Sequence, residues 1–288
     1  MARILVVCHP RDRTLQDNYI LHALIAPWRA RGHAVEIQFG WARRPAADLV
    51  IPHIDVTVLP PDALDFLAAY PNVVNRRLTD ISKRRISANL LQRGDAWSGP
   101  VMVKTDANHA GIPDFVRRPP PPRWRRLLAR GPQPLPPPPA ARYRIYDRLA
   151  DVPPRVWHDR SLVVEKLIAQ RDGSLYVLQQ WWLMGDAVVH RSQVGPAPVV
   201  AGPDIVRRAP VAVAPPPELL ALRARTGLDF GKVDYVQHDG GITVFDIATT
   251  PTGRSMTGRA DMMETLAAGL DGLLARGRTP SGVEAAAS

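Results

Sequence analysis

Between residues 229 and 251 the chain reads DFGKVDYVQHDGGITVFDIATTP, and this run restricts the fold more than any other. Asp239-Gly240-Gly241 is a turn signal between two short runs of β-branched and aromatic residues, the pattern of a β-hairpin. A three-residue loop, Asp239 to Gly241, makes Asp234 face Asp246 and puts Val236 and Val244 on the same side. Two carboxylates roughly 5 Å apart on one half-buried face repel. A cation between them removes the repulsion. The alternatives are a pair of solvent-facing edge acids, or a two- or four-residue loop that sends the acids to opposite faces.

The rest of the chain supplies a setting for that hairpin. RILVVC, HAVEIQF and NVVN read as strands, with helical spacing over residues 15–31 through Leu21, Leu24, Ile25 and Trp28, stopped by Gly32. PDALDFLAAY reads as a short helix, so strands and helices alternate as in a small parallel α/β sheet. TDISKRRISANLLQRG predicts a further helix, capped by Thr79 or Asp80, and GPVMVKT a strand. Residues 117–141 contain PPPP twice and almost no apolar periodicity, which predicts a mobile loop. Beyond it come the strand SLVVEKLIAQ, two strands joined at Met184-Gly185-Asp186, a helix over 217–225, the hairpin, and a helix over about 255–275. The expected division is 1–75, 76–185 and 186–276, with a frayed tail over 277–288. The fold class is α/β followed by α+β, a small parallel sheet and then antiparallel sheets.

Charge and composition narrow the class. The 288 residues are 45% hydrophobic, enough for a real core. No apolar run is long enough to span a bilayer, and MARILVVCHPRDR lacks the apolar stretch of a signal peptide, so no membrane partner is expected. The single cysteine, Cys8, excludes an internal disulfide framework, fits a reducing cytoplasm, and reads as small apolar filler. A net charge of +10 invites a nucleic-acid reading. The excess, however, is largely arginine in and around the proline-rich segment, and no zinc spacing, helix-turn-helix or RNP-like motif occurs. Nucleic acid is therefore not expected as a partner.

Lys104 ends the apolar strand PVMVK ahead of TDANHAG, where backbone N–H groups of a turn can meet a phosphate chain. No GxxxxGK[ST] loop exists. Taken in order, these segments resemble the ATP-grasp superfamily over residues 73–269, the hairpin resembling the closing metal hairpin of D-alanine–D-alanine ligase and glutathione synthetase. The resemblance puts Lys83 at the first nucleotide lysine and Lys104 at the phosphate lysine. LVVEKLI is similar to the strand that reads adenine, which sets Glu165 and the backbone of Lys166, Leu167 and Ile168 beside the base, with Asp172 at the ribose. Asp234 and Asp246 then become metal ligands, Lys232 faces the transferring phosphate, and Arg254 faces an anionic substrate. Asp172-Gly173 is also an ordinary turn, and Arg254 also reads as a solvated arginine.

The chain departs from the family pattern in two places. Ala248 stands where an asparagine normally completes the metal site, and Asp246 is one methylene shorter than the usual glutamate. What the resemblance implies is ATP- and magnesium- (or manganese-) dependent joining of a carboxylate to an amine or similar nucleophile, on a small molecule or peptide, through an acyl phosphate. The rival is a catalytically weakened nucleotide-binding protein with a regulatory or scaffold role. Self-association as a homodimer stays open. None of the eight histidines shows a paired metal spacing; His109 is a candidate for substrate contact and His238 for approach to the metal. Neighbouring Trp181 and Trp182 point to opposite faces of their strand, one to the core and the other a candidate for stacking on a ligand.

Overall fold

The computed structural model describes residues 1–118, 143–253 and 260–277. It opens with β1 (Arg3–Cys8), α1 (Ile20–Ala30), β2 (Ala34–Phe39), β3 (Leu49–His53) and α2 (Pro61–Ala68). The three strands form a parallel sheet in the order β2-β1-β3, extended by a bridge from Val50 to Val73. β1 is apolar at nearly every position because both faces of a parallel sheet are covered. Ile4, Val6 and Cys8 pack with Leu21, Leu24 and Trp28 of α1, while Leu5 and Val7 pack with Phe66 and Leu67 of α2.

The helix at 15–31 starts later than its spacing suggests, at Ile20. Residues Gln16, Asn18 and Tyr19 ahead of it line a cleft instead. The expected helix over TDISKRRISANLLQRG shrinks to the single turn α3 (Lys83–Ile86). Its remaining residues are drawn into sheet-edge pairing: the amide of Leu91 donates to Val164 at 2.8 Å and the carbonyl of Asn89 accepts from Lys166 at 3.1 Å.

Two antiparallel sheets follow. β4 (Val101–Thr105) leads through a tight turn at Asn108–Gly111 into α4 (Ile112–Arg117). With β5 (Tyr143–Tyr146), α5 (Pro154–His158) and β6 (Leu162–Lys166) it builds a sheet of order β5-β4-β6. β7 (Gln170–Asp172), β8 (Leu175–Met184), β9 (Ala187–Gly195), β10 (Arg207–Pro210), α6 (Pro217–Thr226), β11 (Phe230–His238) and β12 (Gly241–Ala248) complete the second. Its order is β10-β9-β8-β11-β12, with β7 on β8. The division expected at 185 thus falls inside one hairpin, between β8 and β9. The sheets part instead between Lys166 and Gln170. The proline-rich run lies almost wholly outside the described residues, but its first arginine does not. Arg117 ends α4 with its side chain 9% exposed.

The chain closes with α7 (Ala260–Ala268) and α8 (Leu270–Arg276) in place of one expected helix. They meet at Gly269, whose backbone lies against Met184 so closely that a Cβ would fall 1.7 Å from the Met184 carbonyl oxygen. Both helices return to the first sheet. Met262, Leu266, Leu270 and Leu274 share a core with Ile4, Val6, Trp28, Trp182 and Phe230, and the Trp28 indole donates to the carbonyl of Ala267 at 3.1 Å. Trp181 faces the other side of its sheet, toward Leu219, Val233 and Tyr235. Both tryptophans are core residues, 0% and 3% exposed, so neither is a stacking surface for a ligand.

Candidate functional site

The acids of the β11–β12 hairpin do face each other, for a reason the sequence did not show. His238 pairs with Gly241, so the loop is the two residues Asp239 and Gly240, and Val236 lies opposite Thr243. That register alone would set Asp234 against Phe245. A β-bulge at Phe245 adds one residue to β12, and beyond it Asp234 pairs with Asp246. Val244 is therefore not beside the acids; it lies opposite Tyr235 and packs toward the core beneath. The bulge also frees the Phe245 carbonyl, which accepts a hydrogen bond from Lys104 Nζ at 3.1 Å.

Three lysines converge on this pair. Lys83 Nζ lies 2.6 Å from Asp246 Oδ1, and Lys232 Nζ lies 2.6 Å from Asp234 Oδ2. Lys104 Nζ lies 2.6 Å from Glu165 Oε2, and the two side chains are 5% and 1% exposed. The expected repulsion is relieved by ammonium groups. Burial pushes the Asp246 carboxyl up, but Lys83 above all, then Lys232 and Lys104, hold it below its ordinary value. Burial lowers the Lys104 ammonium against the opposing pull of Glu165. Among the described residues no group of three or more His, Cys, Asp or Glu side chains could hold a metal, so the hairpin offers two acids and no third.

Two clefts meet here. The first lies between the two antiparallel sheets. Met102, Leu167, Val177, Val236 and Phe245 give it apolar walls, and Lys83, Lys104, Asp234 and Asp246 its charged end. The second lies at the carboxyl ends of the parallel strands β1 and β3, where ligands of open α/β sheets bind. Its walls include Asp12, Tyr19 and Asp55 from the loops after those strands, Arg117, and Lys232, Asp246 and Ala248 of the hairpin. Arg117 donates to Asp12 at 2.8 Å and lies 3.5 Å from Asp55, which also accepts from the Tyr19 and Thr250 hydroxyls. Asp246 and His109 line both clefts.

No family model and no curated protein matches the sequence. Among solved structures, the D-alanine–D-alanine ligase of Bacillus anthracis superposes with a TM-score of 0.51 at 13% identity, covering 96% of this chain and 97% of that one. The ATP-grasp ligase PsnB complexed with minimal precursor, Mg and ADP gives 0.53 at 15% identity, with 96% and 97% covered. The same ligase with precursor peptide PsnA2 and AMPPNP gives 0.51 at 15%, with the same coverage. The chain has the ATP-grasp fold.

Within that ATP-grasp fold, Lys83, Lys104, Asp234 and Asp246 line the first cleft together, while Lys232 opens on the second. Glu165 is turned onto Lys104, and its second oxygen is buried without a partner. The backbone expected to read adenine is partly committed elsewhere. The amide of Lys166 bonds Asn89 at 3.1 Å and that of Leu167 bonds Pro100 at 3.0 Å. Leu167 still lines the first cleft; Ile168 follows it in the connection between the sheets. Asp172 ends β7, half-exposed and ion-paired with Arg207, and is not among the lining residues of either cleft. His238 caps the hairpin tip, bonding Thr243 Oγ1 at 3.1 Å and accepting from the Gly240 amide, instead of approaching the acids. Arg254 lies outside the described residues. The sequence carries no signal for Asp12, Asp55 and Arg117, since the two acids lie in loops and the arginine at the end of α4, without motif spacing, and they meet only through the tertiary fold.

Proposed function

We propose that this chain is an ATP- and magnesium-dependent ligase that joins a carboxylate, on a small molecule or a peptide, to an amine or similar nucleophile. The observation that carries the reading is the junction of the two clefts at Asp246 and His109. A nucleotide in the first cleft would point its phosphates at Lys83, Lys104 and the facing acids. A carboxylate in the second would reach the same place from the opposite side. Its oxygen would attack the γ-phosphorus, releasing ADP and forming an acyl phosphate. The amine would then attack the acyl carbon, phosphate would leave, and the amine proton would pass to solvent.

Phosphoryl transfer asks the protein for position and charge neutralisation more than for covalent chemistry. Lys83 and Lys104 are the residues we assign to the phosphate oxygens, and Lys232, on the side of the second cleft, to the transferring group. The donor set fits one magnesium ion: two hard carboxylates in register on neighbouring strands, with phosphate oxygens and water to complete the shell. Asp234 and Asp246 would hold it, and it would supply neutralisation of charge across the phosphates. Ala248 offers no side-chain oxygen for a second ion. The buried free thiol of Cys8 fits a reducing, cytoplasmic setting.

The test is ADP release from ATP with a panel of carboxylates and amines. Turnover should appear with one pairing and fall at least a hundredfold in Asp234→Asn; unchanged turnover in that variant would refute the metal assignment. Ala248 also favours a second reading, a protein that holds the nucleotide without ligating. It is supported if ATP binds and no pairing releases ADP, even after Ala248→Asn.

A further inference from the structure

We propose that Gln180 is a positioning residue for the metal seat of the hairpin and that Gln193 fixes which end of its amide faces the acid; this rests on the ATP- and magnesium-dependent reading above. Gln180 on β8 lies directly across from Asp234 on β11 and is 5% exposed. Its Nε2 donates to Asp234 Oδ1 at 3.0 Å, and its Oε1 accepts from Gln193 Nε2 at 2.8 Å. A primary amide can present either end to a neighbour, and its oxygen turned to a carboxylate would set two acceptors face to face. The donation from Gln193 occupies the oxygen and leaves the NH2 for the acid. Lys232 holds the other oxygen of Asp234 at 2.6 Å, so the carboxylate is fixed from both sides.

Such a device is needed here. With Ala248 supplying no third ligand, affinity for an ion depends on how well the two carboxylates are held in place before it arrives. Outer partners that orient metal ligands are each worth about 10–100-fold in metal affinity. Gln180 is not among the residues lining either cleft, so it acts through Asp234 alone.

The test uses the full chain with a non-hydrolysable ATP analogue, titrated with Mn²⁺ and followed by electron paramagnetic resonance. Gln180→Met, similar in length and without the amide, should weaken Mn²⁺ binding about tenfold. Gln193→Met, which leaves Gln180 in place and serves if the first variant fails to fold, should weaken it by a smaller factor. The double variant should be no weaker than Gln180→Met, because the two residues act in series. Binding of the nucleotide in EDTA should be unchanged in all three.

Wild-type Mn²⁺ affinity in both single variants would overturn the inference while leaving the metal reading intact. An equal loss of metal-free nucleotide binding would mark Gln180 as merely structural and overturn it too. Additive effects in the double variant would overturn the role of Gln193. A wild-type chain that takes up no Mn²⁺ with the nucleotide would remove the metal reading and the inference together.

Discussion

Lys83 has an observed partner in Asp246 and a proposed one in the nucleotide phosphates, and the two can be separated. Against Asp246 it is the counter-ion that keeps a partly buried carboxylate charged. A group held below its ordinary value contributes stability that is present above the ordinary carboxylate range and lost as pH falls through the lowered value. In Lys83→Met that loss should begin at higher pH, read as an upward shift in the acid limb of the thermal midpoint against pH. Nucleotide affinity should fall about tenfold at neutral pH if the same ammonium also meets phosphate. Lys104 and Glu165 make the complementary case, because both are almost fully buried. Lys104→Met strands the Glu165 carboxylate, and chemical denaturation should show about 3–5 kcal/mol of lost stability. Lys104→Met combined with Glu165→Gln should recover most of it. Had the pair been solvated, neither variant would move the midpoint measurably.

At the scale of the element, the hairpin decides the site, and its bulge decides the hairpin. Deleting Phe245 should remove the bulge yet keep Asp234 opposite Asp246, because Asp246 then takes the place of Phe245 in the register set by the two-residue turn. The folded variant should keep nucleotide-dependent Mn²⁺ binding, as should Phe245→Leu, and complete loss in either would show that facing acids alone do not make the site. The sequence announced the turn through Asp239-Gly240-Gly241 and the strands through their β-branched residues, since those are local preferences. It could not announce the bulge: Phe245 is an ordinary strand residue, and the carbonyl it frees finds its partner in Lys104, on another sheet. The short α3 has the same explanation. Ile81, Ile86 and Leu90 are spaced for a helix, but the edge of β6 pairs with Leu90 and its neighbours and overrides that spacing. The parallel sheet was legible because β1 is apolar on both faces. The charged floor of the second cleft was not, because Asp12, Asp55 and Arg117 come together only through chain crossings far apart in sequence.

Across the whole molecule, one core joins the two ends of the chain. Trp28 is fully buried between α1 and the final helices, and its indole is bonded to Ala267. Trp28→Ala should cost about 3–5 kcal/mol by denaturant titration. It should also loosen both ends together, so that hydrogen exchange accelerates in β1 and in α7 alike. Acceleration confined to α1 would show that the ends are not one unit. The first 75 residues, expected to stand as a domain, lack part of their covering without residues 262–274. A ribosome delivers those covering residues long after the strands they cover. The opening strands must therefore wait, one apolar face still wet, until residues 262–274 emerge, and a chain cut short before them would present that face to whatever chaperone or protease is nearby.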